Sequence, residues 1–331
     1  MNVLFIGGSG IISSACAALA VERGIDLTLL NRGRTDFRPV PAAAHVIHAD
    51  VRDPAAAAEA LRGQTFDAVV DWIAFTTDHI AADLELFRGR VGQFVFISSA
   101  SAYQKPPARL PITEATPLDN PFWQYSRNKI ACEEMLLAAH RDEGFPVTIV
   151  RPSHTYDATL LPFHGGYTTL DRLRRGKPIL VHDDGESLWT LTHHRDFARA
   201  FVPLLGEARA IGEAYHITSD EVLTWNEIAR LLGQAAGVAP NVVHVPSAVV
   251  ATYDQGFGDS LLGDKAHNAV FDTSKIRGIV PGFAAEIPFA EGAREIVAWY
   301  DAHPEAQRVD PVHDALLDRI IGEEGRGETR S

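Results

Sequence analysis

Short, mainly apolar runs recur through the first half of this chain: VLFI at 3–6, AVVD at 68–71, FVFI at 94–97 and VTIV at 147–150. An extended strand turns alternate side chains to opposite faces, so such a run is apolar on both faces. It must be covered on both sides. Between the runs lie segments of helical pattern at 12–24, 53–63 and 79–89, the second opening on Asp53 as N-cap and Pro54 at the first helical position. Strands spaced by helices give parallel pairing with right-handed crossovers, a doubly wound α/β fold. Strands are expected at 2–7, 26–33, 44–50, 67–74, 93–101 and 146–153, with a further one at 213–218. Residues 153–190 read as loop-rich with one helix at 168–176. A helix at 224–237 carries Thr224 and Glu227 at capping-box spacing. The expected organisation is a dinucleotide-binding domain over 1–152, to which 191–220 returns, and a smaller C-terminal substrate lobe from 153–190 and 221–305. A cleft between the two is the place for a ligand.

The first strand runs into GGSGIIS at 7–13 and then a helix. On a strand–turn–helix this is the glycine turn of a Rossmann sheet, with Gly7 and Gly10 where a tight turn and close pyrophosphate approach exclude a side chain. Ser13 takes the third small position. The helix N–H groups around Ile11 and Ile12 face the pyrophosphate. The end of the second strand chooses the dinucleotide. It carries Asn31, then Arg32, with Arg34 beyond, and no carboxylate. A carboxylate would hold the adenosine 2′-hydroxyl and repel a 2′-phosphate; Arg32 can pair with one, which tilts the expectation toward NADP over NAD. Asp50 and Val51 are placed to meet the adenine. Ala74, Ser98, Pro152 and His154 are expected along the rest of the cofactor.

Composition removes other classes. The net charge of −13 repels phosphate backbones, so no nucleic-acid partner is expected. The two cysteines, Cys16 and Cys132, lie in apolar helical stretches and read as buried free thiols, in keeping with a cytoplasmic setting. The uncharged stretch at 2–21 is long enough to span a bilayer, but its central glycines and missing basic leader argue for strand, turn and helix, and no membrane partner is expected. The polar end from Gly322 reads as frayed.

In QYSRNKIACEEML at 124–136, Tyr125 precedes Lys129 by four residues at the start of a helix, so both share one face. An ammonium beside a phenol favours the phenolate and draws the tyrosine pKa down toward working pH, which suits a general acid or base.

Taken together, the glycine turn, the Asp50–Val51 pair, ISSASAY at 97–103, Tyr125-x-x-x-Lys129 and RPSHTYD at 151–157 resemble the extended short-chain dehydrogenase/reductases, the NAD-dependent epimerase/dehydratase group. LTHHRDFARAF at 191–201, with Asp196, and DTSKI at 272–276 fit the same pattern, so the resemblance spans about 1–300. It implies a triad of Ser99, Tyr125 and Lys129, with Ser98 and Ser101 as rivals of Ser99. It implies that Tyr125 exchanges a proton with a substrate hydroxyl, that Lys129 also holds the nicotinamide ribose, that Ser99 orients the reacting oxygen and that Pro152 packs near the nicotinamide. It also implies a homodimer through the helices at 79–89 and 125–140, with Met135 to Ala138 as apolar contact or internal core.

Departures from the family pattern are informative. Dehydratases place Asp and Glu after the position of Ser99; here stand Ala100 and Ser101. Sugar-nucleotide members carry a phosphate-gripping arginine four residues before the position of His193; here stands Trp189, which can only stack. Arg172, Arg174 and Arg175 are alternative sources of that charge. Ser101, His154 and Trp189 are the candidate substrate contacts. Glu114 and Asp119 read as surface loop charges. His193 and His194 are expected to point apart on a strand, and no metal site is expected. The expected function is an NAD(P)-dependent epimerase on a small-molecule sugar or sugar nucleotide, the alternatives being an NADP(H)-dependent ketoreductase and a non-catalytic nucleotide- or RNA-binding protein on the same fold.

Overall fold

The apolar runs become strands of one sheet. In the computed structural model, which describes residues 1–33 and 38–324, β1 (Asn2–Ile6), β2 (Asp26–Asn31), β3 (His45–His48), β4 (Phe66–Asp71), β5 (Val91–Ile97) and β6 (Val147–Pro152) pair in parallel. Four short strands follow: β7 (His154–Tyr156), β8 (Ile179–His182), β9 (Leu188–Trp189) and β10 (Leu191–His193). Then β11 (Ala214–Ile217) returns to pair with β6 at the sheet edge. The order is β11-β6-β5-β4-β1-β2-β3. This is a doubly wound Rossmann sheet, and the order reverses between β1 and β4. There the chain leaves β1 and β4 in opposite crossover directions, which opens a crevice at their carboxyl ends.

Side-chain alternation explains the two cores. Val3 and Phe5 face one side of β1, with α1 (Ile11–Glu22) and the later helix Phe197–Phe201 region; Leu4 and Ile6 face the other. On that second face lie Ile80, Leu84 and Phe87 of the helix Thr77–Phe87, and Cys132 and Leu136 of the helix Gln124–Glu143. All are at least nine-tenths buried, and each large apolar side chain so buried contributes about 1.5–3 kcal/mol relative to exposure. Leu136 is therefore internal core, while Met135 and Leu137 are partly buried against it. Both cysteines are free and buried. Asp53 accepts from the Ala56 N–H at 3.1 Å ahead of Pro54, and Thr224 and Glu227 make both bonds of the capping box.

The remaining elements form a smaller group with its own apolar cluster, in which β8 pairs with Val242–Val245 and β9 with Leu223–Thr224. The loop-rich expectation for 153–190 is corrected here: besides the helix Tyr167–Arg174 the stretch holds β7, β8 and β9. Each is short, and its partner lies tens of residues away, so no local signal marks it. The chain end is also corrected. Pro311–Glu324 is a helix that buries Leu317 and Ile320, and Gly322 to Glu324 are part of it. Residues 325–331, like Arg34, lie outside the described residues. Arg172 is wholly buried and pairs with Asp314 and Asp318 of this helix, Arg174 pairs with Asp301 and Arg175 with Asp171. None of the three is left to grip a diphosphate. No helix among the described residues is long and apolar enough to cross a membrane.

Candidate active site

The glycine turn leaves β1 at the switch point. Gly7 and Gly8 have φ of +102° and +98°, a conformation that other residues adopt only under strain, and a Cβ on Gly8 would stand 2.7 Å from Leu29. Gly10 has an ordinary φ of −82°; its N–H donates to Ser13 Oγ at 2.8 Å, so Ser13 closes the turn onto α1. The conformationally demanding glycines are thus 7 and 8 rather than 7 and 10. The first-turn N–H groups of α1 have no intrahelical acceptor and open into a cleft of about 810 Å³. Gly7, Gly10, Ile11, Ile12, Asn31, Arg32, Asp50 and Val51 all line it, and it runs to Ile97 and Tyr125. A glycine-rich turn, exposed helix N–H groups and a long cleft at the switch point fit a dinucleotide. At its lip Arg32 stands 3.8 Å from Asp50, both about half exposed, and Asn31 Oδ1 accepts from the Gly33 N–H at 3.0 Å.

Tyr125 lines this cleft and also a second, polar chamber of about 270 Å³. That chamber gathers Ser99, Ser101, Pro152, His154 and Trp189. Ser99 caps a short 3₁₀ turn at the end of β5, its Oγ accepting from the Ser101 N–H at 3.2 Å and lying 2.9 Å from Ser101 Oγ. Ser101 in turn accepts from Ser126 Oγ at 2.8 Å. Burial pushes the Tyr125 phenol up to about 12, and the nearby Ser99, which favours the ionised form, offsets this only in part. The downward pull expected from Lys129 is absent. Its Nζ donates to the carbonyls of Ala74 and Ile97, each at 2.7 Å, and sits 5.8 Å from the Tyr125 ring centre. Burial draws this lysine down to about 8. Four-residue spacing sets a shared helix face, but not where a long flexible side chain ends.

Not every candidate reaches a cavity wall. Ser98 is buried with its hydroxyl unpartnered and lines neither space; Ala74 lies behind the wall and contributes its carbonyl. His154 Nδ1 accepts from Trp189 Nε1 at 3.1 Å, and burial holds the ring neutral with a pKa of about 3. Glu114 is not a surface charge: its carboxylate accepts from the His216 N–H at 3.2 Å and its side chain is 9% exposed. Asp119 is exposed. His193 and His194 do not point apart, because β10 ends and a helix begins between them, which brings the rings to 4.7 Å. Among the described residues no group of three or more His, Cys, Asp or Glu could hold a metal ion.

Three further wall residues lie outside the sequence-based candidates. Thr155 lines both spaces, and Asp264 and Lys265 enter the polar chamber from a late segment. Asp264 pairs with Lys105 at 3.3 Å. Thr155 sits within RPSHTYD, one residue after His154, so the return of the chain over the sheet edge could have pointed to it. Asp264 and Lys265 carry no spacing signal.

The model of the NAD dependent epimerase/dehydratase family matches residues 3–218. This chain belongs to that family. Among curated relatives, 2'-dehydrokanamycin reductase of Streptomyces kanamyceticus is 27% identical over 86% of this chain and 80% of its own length. The chloroplast stem-loop binding protein of 41 kDa b of Arabidopsis thaliana is 25% identical over 73% of this chain and 65% of its own. Among solved structures, UDP-glucose 4-epimerase from Bifidobacterium longum in complex with NAD+ and UDP superposes with a TM-score of 0.73 at 18% identity, over 92% of this chain and all of that one, a likeness of fold.

Proposed function

We propose that this enzyme of the epimerase/dehydratase family interconverts a hydroxyl and a keto group on a sugar-class small molecule. The observation that carries this is the position of Tyr125 on the shared wall of the dinucleotide cleft and the polar chamber, with Ser99 on the same chamber wall. A bound nicotinamide dinucleotide would supply the hydride acceptor or donor. Tyr125 gives its proton to the keto oxygen or takes it from the hydroxyl, Ser99 fixes that oxygen, Thr155 shapes the opening between the two spaces and Pro152 lines the chamber. Ala100 and Ser101 place no carboxylate beside Ser99, which speaks against elimination of water.

The same residues serve an epimerase, which returns the hydride within one turnover, and a net reductase. Epimerisation is the first reading. The second is favoured by Trp189 in the chamber wall, where a diphosphate would need a cation besides Lys265, and by the reductase relative that aligns over most of this chain. Acid release and mass analysis of nucleotide from purified protein separates them. Stoichiometric NAD+ or NADP+ supports epimerisation; protein that arrives empty and binds added NADPH supports net reduction; binding of neither sinks both.

Two variants probe the cofactor. Arg32→Ala is expected to weaken NADP+ by about tenfold and to leave NAD+ within about twofold, read by calorimetry. Equal loss of both would remove Arg32 as the 2′-phosphate partner. Lys129 is charged below about pH 8 and neutral above it. Cofactor affinity that depends on its ammonium should therefore fall as pH rises through that value. Lys129→Met should bind about tenfold more weakly at pH 7 and lose this pH dependence, measured by NADH fluorescence.

A further inference from the structure

Behind the polar chamber lies another of about 200 Å³ that the proposed chemistry does not use. The two share His154 and Lys265. Leucine and aromatic side chains make most of its wall, among them Leu160, Phe163, Leu180, Phe257 and Leu317. Most polar groups on that wall are engaged within the protein, while the buried Trp225 Nε1 has no acceptor among the described residues. Thr169 Oγ1 donates to the His164 carbonyl at 3.1 Å, Ser260 Oγ to the Phe257 carbonyl at 2.8 Å and His182 Nε2 to the Lys265 carbonyl at 2.9 Å. His154 already accepts from Trp189, and the His164 ring stacks on Phe257 at 4.2 Å. Burial keeps His154, His164 and His182 neutral.

Lys265 brings a cation to that wall. Among the described residues its Nζ hydrogen-bonds the Ser260 carbonyl alone, at 3.5 Å, and lies 5.7 Å from the Trp123 ring centre. The neighbouring Asp264 carboxylate is taken by Lys105. A desolvated cation with one long hydrogen bond therefore stands at the neck between a polar and an apolar space. A diphosphate would need more than one free cation at the neck. An apolar group needs no such charge and gains from leaving water, and an aromatic one can face the free Trp225 N–H.

We propose that the inner chamber receives an apolar substituent of the substrate, aromatic or branched alkyl, joined to the reacting sugar by a polar link that hydrogen-bonds Lys265. This rests on the polar chamber being where the hydroxyl carbon reacts. The substrate is then a sugar derivative with a hydrophobic appendage in place of a nucleotide.

The test is calorimetric titration of indole into the protein, with and without saturating NAD+. Saturable binding of one indole per chain is expected. Leu160 is only half-buried, so Leu160→Trp can fill the chamber without disturbing a core; it should weaken indole by about tenfold or more while NAD+ affinity holds. Should that variant fail to fold, Ser260→Phe fills the same space from another wall. Absence of saturable indole binding, indifference to a folded filling variant, or displacement of indole by uridine diphosphate would each overturn the proposal. Loss of NAD+ binding in wild type would overturn the proposed function instead, and the NAD+-free titration would still decide the chamber.

Discussion

Tyr125→Phe is expected to lower turnover by about 10²- to 10⁴-fold, the range for loss of a positioned general acid or base. The substitution removes one hydroxyl and keeps the ring, whose neighbours are Trp123 at 4.8 Å and Phe75 at 6.3 Å between centres. Folding and cofactor affinity should hardly change, because the cleft is built by the glycine turn and the ends of β1 and β2. The loss should fall on kcat, with KM nearly unchanged, since the hydroxyl acts on the reacting oxygen. The pH profile adds a sign. Burial pushes the phenol up to about 12, so through neutral pH it carries its proton. Reduction of a ketone, which consumes that proton, should need no rise in pH as far as Tyr125 is concerned. Oxidation of the hydroxyl needs the phenolate and should quicken as pH rises. Steady-state kinetics in both directions, with NAD(P)H affinity measured separately, checks this. A Tyr125→Phe protein that keeps its turnover while still binding cofactor would refute the role.

How far the sequence goes can be judged at particular residues. The sheet was legible because Val3 to Ile6 and Phe94 to Ile97 are apolar on both faces, and only a covered parallel strand satisfies that pattern. The cleft was legible because a glycine turn at the end of such a strand has few other uses. What escaped depends on distance through space. β8 is specified by Val242–Val245, some sixty residues on, and Lys265 reaches the neck from a segment with no periodic signal. Side-chain endpoints escaped for another reason. Tyr125 and Lys129 do share a helix face, but two carbonyls at 2.7 Å compete for the ammonium, and burial then governs the phenol. Arg172, a candidate source of phosphate-gripping charge, is instead wholly enclosed, because Asp314 and Asp318 come from a helix the sequence pattern did not announce.

The helix that carries Tyr125 and Lys129 is held by one buried ion pair, and its removal should be the most damaging single change to stability. Glu133, one turn beyond Lys129, is fully buried and receives Arg151 of β6 through Nη2 at 2.5 Å and Nε at 3.0 and 3.2 Å. The guanidinium also donates to Tyr103 Oη at 3.2 Å, and that hydroxyl lies 3.0 Å from His216 Nδ1 on β11. Helix, the 3₁₀ turn after β5, β6 and β11 thus meet at one charge. Glu133→Gln keeps the shape but leaves the guanidinium buried with no counter-charge, at a cost of about 3–5 kcal/mol. The expected fall in melting temperature is roughly 5 °C or more, with a matching shift in the urea midpoint. The double variant Glu133→Leu with Arg151→Met separates two explanations. If the damage comes from the orphaned charge, the double variant should recover most of the loss, because well-packed apolar replacements of such pairs are often neutral. If the pair instead fixes the rotation of the helix that presents Tyr125, stability should return while kcat stays low. Loss of less than about 1 kcal/mol in Glu133→Gln would mean that apolar packing of Cys132 and Leu136 alone holds the helix.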